Sequence, residues 1–318
     1  VIPKEKNLIR RHHILKKYNQ LSKKYNIRKN QYFWKFLEEQ GRKHAIYYKI
    51  LFKLNCNGLY ILADLWMLMY DVLRSLLKAK NVKTDANMDD LIEKAKEQSK
   101  LNEKVSVSVV IPNYNYKRFL YQRLYSILSQ KEKINEIIIL DDCSTDDSRK
   151  EIDKIVDELE KYIDIKKVYN EKNSGSAFKQ WEKGFSLAKS EYVWIAEADD
   201  YCSDKLLKQL VKPVVKNRDI IISYADTAFI DTVGNYLVKS IVPEIDILNT
   251  GHWNRNYVNN GKDEFNHYTY LNCTIANVSS CIIKNNNYSR FFKESGKFKQ
   301  CGDWLLYANI MQLGDVAY

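Results

Sequence analysis

Three apolar runs and one mixed strand, each followed by polar residues, set the pattern of this chain. Val105 to Ile111 is a β-branched run that stops at Pro112-Asn113-Tyr114-Asn115. Glu136 to Leu140 stops at Asp141-Asp142-Cys143-Ser144-Thr145-Asp146. Ile165 to Tyr169 leads to Asn173-Ser174-Gly175, and Tyr192 to Ala196 stops at Glu197-Ala198-Asp199-Asp200. Near-continuous apolar strands predict a sheet covered on both faces, as in parallel α/β architectures. Helical spacing fills the gaps. Phe119, Leu120, Leu124, Ile127 and Leu128 suit a crossover helix. Ser144 or Thr145 is placed to cap a second helix, with Asp146 and Asp147 in its first turn and Ile152, Ile155, Val156 and Leu159 on its apolar side. A third runs through Phe178, Trp181, Phe185 and Leu187. Ligands of open parallel sheets bind at the carboxyl ends of the strands, and all four polar stretches fall there.

The stretch from Glu197 to Asp200 carries the sharpest chemistry. Carboxylates crowded at a strand end repel one another unless a cation sits among them, and oxygen ligands suit Mg²⁺ or Mn²⁺. Asp199 and Asp200 are the candidate metal ligands, with substrate phosphates completing the shell. A solvated acidic turn is the plain alternative. A second acid, Asp303, opens the apolar helix Trp304 to Met311, where a negative charge is favoured. It could take a proton from an attacking hydroxyl, or simply cap the helix. Asn272, Asn277, Ser279 and Ser280 could hydrogen-bond hydroxyls of a ligand, or satisfy a loop before the strand Ser280 to Ile283.

The ordered motifs V-S-V-V-I-P-N-Y-N, I-I-I-L-D-D-C-S-T-D, N-S-G-S-A and W-I-A-E-A-D-D resemble the family-2 glycosyltransferases. The resemblance runs from about Val105 to the end of the chain. It implies the GT-A nucleotide-sugar fold, an α/β architecture with a Rossmann-like, mostly parallel sheet. It also implies inverting transfer from a nucleoside-diphosphate sugar to a saccharide or lipid-linked acceptor, with divalent Mn²⁺ or Mg²⁺ as cofactor. The segment from Leu271 to Ser280 and the Gly302-Asp303-Trp304 triplet are similar to those of bacterial members that build surface polysaccharides. Carried onto this chain, the resemblance gives Pro112, Tyr114, Asp141 and Asp142 to the nucleobase. Asn173 and Gly175 stand beside the nucleotide, Asp199 and Asp200 hold the metal, Glu197, Asn272, Asn277 and Ser279 face substrate, and Asp303 is the base. Asp142 could instead be a helix cap. The chain departs from the family at Glu197, where Asp is frequent, and at Gly302, where Glu commonly precedes the base. These departures keep a catalytically inactive nucleotide- or glycan-binding scaffold as an alternative. A nucleotidyltransferase is another, though Pro112 to Asn115 is not the Gly-rich phosphate loop it would need.

Charge divides the chain unevenly. The net charge is +11, yet residues 1–104 hold about 23 Lys and Arg against about 11 Asp and Glu, and the remainder is near neutral. Residues 1–80 are predicted as a basic helical appendage, 81–104 as a charged linker with one short helix near Leu91, Ile92 and Ala95, and 105–318 as the transferase domain. Basic residues interleaved with Tyr32, Trp34, Tyr47 and Trp66 suit peripheral contact with an anionic membrane. Solvated helices of a neighbouring domain are the alternative, and no motif supports nucleic-acid binding. Six scattered cysteines without a C-x-x-C pair point to free thiols in a reducing compartment. With no signal peptide visible and Leu59 to Met69 too short to span a bilayer, the expected location is the cytoplasm, with the arm at the inner membrane face. Family members usually continue past the equivalent of Tyr318, so the resemblance implies a longer parent protein.

Overall fold

A computed structural model describes residues 85–231, 234–246, 248–298 and 301–318. The expectations for residues 1–80 therefore lie outside the described residues. Contacts divide the chain into two compact units, one built from 83–227 and 251–318. Within the other, the described residues 228–250 contain an antiparallel pair, β6 (Phe229–Ile230) and β7 (Tyr236–Val238).

The larger unit is a helix-covered α/β sheet. It opens with α1 (Met88–Ser99), followed by β1 (Val107–Asn113), α2 (Leu120–Leu128), β2 (Glu136–Asp141), α3 (Ser148–Leu159), β3 (Asp164–Tyr169), α4 (Ala177–Leu187) and β4 (Tyr192–Ile195). Then come α5 (Leu206–Lys216), β5 (Ile220–Tyr224), β8 (Val258–Asn260), β9 (Cys281–Lys284), α6 (Ser289–Ser295), α7 (Gly302–Met311) and β10 (Asp315–Ala317). The eight strands are ordered β3-β2-β1-β4-β9-β5-β10-β8. β1 pairs in parallel with β2 and β4, and β2 with β3. β9 inserts antiparallel between β4 and β5. The sheet is thus mixed and mostly parallel, as the apolar runs predict.

Register fixes the site. Asn113 pairs with Asp141, and Asp141 with Tyr169, so three strands end level and deliver their polar residues to one edge. The strands are held there by a core that includes Val109, Ile111, Ile137, Ile139 and Trp194, all buried. Gly184 of α4 makes close approach possible, since a Cβ there would lie 2.4 Å from Val110 Cγ1.

One expectation is sharpened and one changes. The short helix expected near Leu91, Ile92 and Ala95 spans Met88–Ser99 and is capped: Asn87 accepts from the Asp90 amide, and Asp90 accepts from the Asn87 amide in return. Its Leu91 and Ala95 are fully buried in the main core, and Gln98 donates to the carbonyl of Gln130. The helix after β2 begins at Ser148 rather than at 146, because Asp147 adopts a left-handed φ of 61° and neither Ser144 nor Thr145 caps it. Asp146 instead accepts from the Lys117 and Ser148 amides, tying the loops after β1 and β2 together.

Candidate active site

The end of β2 carries two adjacent buried acids that differ in their partners and in which of them lines the cavity. Asp141 has no exposed surface. Its carboxylate accepts from Asn113 Nδ2 at 2.9 Å, the Ser144 amide at 3.0 Å and Arg149 Nε at 2.8 Å. Burial pushes its pKa up, but the bonds from Ser144, Arg149 and Asn113 outweigh it and hold the group ionised below its usual range. Asp141 therefore organises the loops and does not line the cavity. Asn115, at a left-handed φ of 59°, accepts from the Thr145 amide at 2.7 Å and completes the lacing.

Asp142 faces the other way. Its Oδ1 accepts from Asn170 Nδ2, the Ser174 amide and Gln180 Nε2, and its Oδ2 from Ser174 Oγ. It caps no helix, so the capping alternative falls. Oδ2, with one protein donor, keeps capacity for another N–H. Asn173 donates to the Asp142 carbonyl and accepts from the Gly175 amide, which holds Gly175 at φ 67°. A cavity of about 410 Å³ opens here. Its wall includes Pro112, Tyr114, Asp142, Asn173 and Gly175 on one side and Glu197 and Asp199 on the other. Tyr116 and Gln180 also line it, and the strand-end reading missed them. Tyr116 follows the first motif by one residue. Gln180 lies four residues before Gly184, on the α4 face that meets β1, a helical phase legible only once that packing is known.

Beyond β4 the chain turns sharply, the Asp200 amide donating to the Glu197 carbonyl. The loop before β9 straps this turn. Ser279 Oγ accepts from the Glu197 amide at 2.9 Å, Asn277 Nδ2 donates to Asp200 Oδ2 at 2.9 Å, and Trp194 Nε1 donates to the Ser279 carbonyl at 2.8 Å. Asn277 and Ser279 thus bind the acidic turn. Ser280 Oγ donates to the Asn277 carbonyl. The Tyr116 hydroxyl bonds Asp199, and its pKa is pushed up to about 12 by burial and by that acid. Glu197 is pushed up to about 8, by burial first and then by Asp200 and Asp199.

Burial is the larger cause of that shift, and the two neighbouring acids add to it. Among the described residues no three His, Cys, Asp or Glu side chains converge as a metal cage. The donor set fits an ion held by one or two carboxylates with the rest of its shell from phosphate and water.

Asp303 occupies the first turn of α7, after Cys301, whose left-handed φ of 60° starts the helix. Cys301 holds the cap position, and Asp303 Oδ1 accepts the next amide, that of Trp304, at 3.0 Å. Trp304 Nε1 donates to the Thr269 carbonyl at 2.6 Å, bringing α7 against the segment that leads to Asn272. Burial, then the Asp303 charge, pushes the Cys273 thiol up to about 12. Asp303 and Asn272 are outside the wall of the cavity that joins Asp142 to Asp199.

The family model described as glycosyl transferase family 2 matches residues 108–279. The teichuronic acid biosynthesis glycosyltransferase TuaG of Bacillus subtilis is 40% identical over 111 residues, 34% of this chain and 42% of that protein. The Escherichia coli UDP-Glc:alpha-D-GlcNAc-diphosphoundecaprenol beta-1,3-glucosyltransferase WfaP is 28% identical over 65% of this chain and 71% of its own. A Staphylococcus aureus TarS structure in complex with UDP superposes at a TM-score of 0.47 and 18% identity, over 67% of this chain and 57% of that one.

Proposed function

Because the chain belongs to glycosyl transferase family 2, we propose that it moves a sugar from a nucleoside-diphosphate donor to a saccharide or lipid-linked acceptor with inversion, in bacterial surface-polysaccharide synthesis. One observation carries the reading: a single cavity runs from Asp142 to the Glu197–Asp199 turn. Its span suits a ligand with a ring that donates an N–H at one end and a diphosphate at the other. Tyr114 offers an exposed ring at the nucleobase end, and Asp142 Oδ2 an acceptor that a uracil or thymine N–H would satisfy. Asp199 and Asp200 would hold Mn²⁺ or Mg²⁺ against the diphosphate. The ion, when bound, neutralises charge on the departing diphosphate. Asp303 takes the proton of the acceptor hydroxyl as that oxygen attacks the anomeric carbon. Its place at a helix N-terminus favours the ionised form from which a base must start. Asn277 and Ser279 act by holding the acidic turn in position. The donor and the other reactants meet at the inner face of the cell membrane, where nucleotide sugars are available; no helix among the described residues is long and apolar enough to cross a bilayer.

Titration of UDP, uridine and pyrophosphate with Mn²⁺ present tests this. Asp142→Ala should weaken UDP and uridine by about 10- to 150-fold, the loss of one charged hydrogen bond, and leave pyrophosphate nearly unchanged. Asp199→Ala should abolish the Mn²⁺-dependent part of UDP and pyrophosphate binding and spare uridine. Equal weakening of all three ligands by both variants would remove the reading of two separate ends.

A further inference from the structure

A cation that no sequence motif announces lies behind the acidic turn. Arg123 of α2 has no exposed surface, and none of its three guanidinium nitrogens makes a hydrogen bond. A buried charge without a hydrogen-bonded partner is strongly unfavourable unless its field is compensated nearby. Its guanidinium carbon lies 5.6 Å from the centre of the Trp194 ring, a contact that offsets only part of that cost. Cys202 lies beside it, close enough for the guanidinium to act on the thiol though outside hydrogen-bond geometry: burial pushes this thiol up, and Arg123 pulls against that shift. The Cys202 sulfur is itself 3.4 Å from the carbonyl and hydroxyl oxygens of Ser126, one turn along the same helix. Trp194 precedes the acidic turn and Cys202 follows it. Helix α2 therefore backs residues 197–200 from both flanks, with Arg123 between.

We propose that Arg123 is an internal counter-ion for the turn, a positioning residue that decides which form of the metal the site accepts. The proposal rests on Asp199 and Asp200 as metal ligands. In a water-poor interior the field of an unpaired guanidinium reaches past its immediate neighbours. A bare divalent cation approaching the turn meets the attraction of the carboxylates and the repulsion of Arg123. A cation already bound to a nucleoside diphosphate carries net negative charge, and Arg123 attracts it. The turn therefore binds the free ion weakly and the metal–diphosphate complex preferentially, so that the ion enters with donor and leaves with product.

The test measures free Mn²⁺ by electron paramagnetic resonance on the full chain without nucleotide, and UDP affinity at saturating Mn²⁺. Arg123→Met and Arg123→Gln should tighten bare Mn²⁺ binding by about tenfold and weaken UDP with Mn²⁺ by about threefold, while the thermal midpoint rises or holds. Arg123→Lys, which keeps the charge, should stay within about threefold of wild type on both. Opposite signs on the two ligands are not the mark of a loosened fold, which weakens both. Neutral variants that match wild type on both ligands would overturn the counter-ion while leaving the metal site standing. Failure of the wild-type chain to bind either Mn²⁺ or UDP with Mn²⁺ would remove the metal site and the counter-ion together. If neither neutral variant folds while Arg123→Lys does, Arg123 belongs to core packing and the counter-ion role is withdrawn.

Discussion

Gly302 and Phe178 approach so closely that no side chain fits between them: a β-carbon at 302 would lie 2.8 Å from Phe178 Cζ and 2.5 Å from the Ser295 carbonyl oxygen. The contact joins the start of α7, which carries Asp303, to the first turn of α4, which borders the cavity through Ala177. It also explains why this chain has Gly where family resemblance leads one to expect Glu. The Phe178 ring takes the space. Gly302→Ala should cost about 1–3 kcal/mol by overpacking, and Gly302→Glu more. Urea unfolding checks this; a Glu variant as stable as wild type would show that the ring yields and that the departure has no steric cause.

Asp303→Asn keeps the shape of the side chain and removes its ability to take a proton. Donor binding should survive, while sugar transfer falls by several orders of magnitude. Calorimetry with UDP and a transfer assay read the two separately. More than about a tenth of wild-type turnover would place the base elsewhere.

Glu197 predicts a pH dependence of stability with a definite sign. Its carboxyl titrates near 8 in the metal-free fold and near 4.3 in the unfolded chain. Between these values the folded state holds a proton that the unfolded state has released, so stability falls as pH rises. The loss should be roughly 1 to 3 kcal/mol from pH 5 to 8 in chelator, reduced by Mn²⁺ and absent in Glu197→Gln. Denaturant titrations at the two pH values decide it; an unchanged slope in Glu197→Gln would assign the dependence to other groups.

The basic arm makes a prediction of a different kind. Every site residue lies after Val105, so removal of residues 1–80 should leave donor hydrolysis intact. The whole chain should bind anionic vesicles and release as salt shortens the Debye length from about 10 Å at 0.1 M to about 3 Å at 1 M. Co-sedimentation with neutral and anionic vesicles, with and without the arm, measures this. Indifference to anionic vesicles at low salt would exclude the membrane role.

The sequence alone determined the strands that build the site, because each buries both faces and so reads as an unbroken apolar run ending in polar residues. The carboxyl ends of β1, β2 and β4, with Pro112, Asp142, Glu197 and Asp199, were legible for that reason. What each acid does was not legible. Asp141 and Asp142 are neighbours of one residue type, yet strand alternation buries one among Asn113, Ser144 and Arg149 and sets the other in the cavity wall. Asn277 and Ser279 suggested sugar contacts, but the antiparallel insertion of β9 beside β4 brings them to the acidic turn. Leu91 and Ala95 marked a short helix, but that they pack into the main core was not legible, since one buried stripe is a faint signal in a helix of mostly polar residues. The burial of Arg123 was not legible either. A charged residue in an amphipathic helix is expected to face water, and only the tertiary packing of α2 against Trp194 and Cys202 puts this one inside.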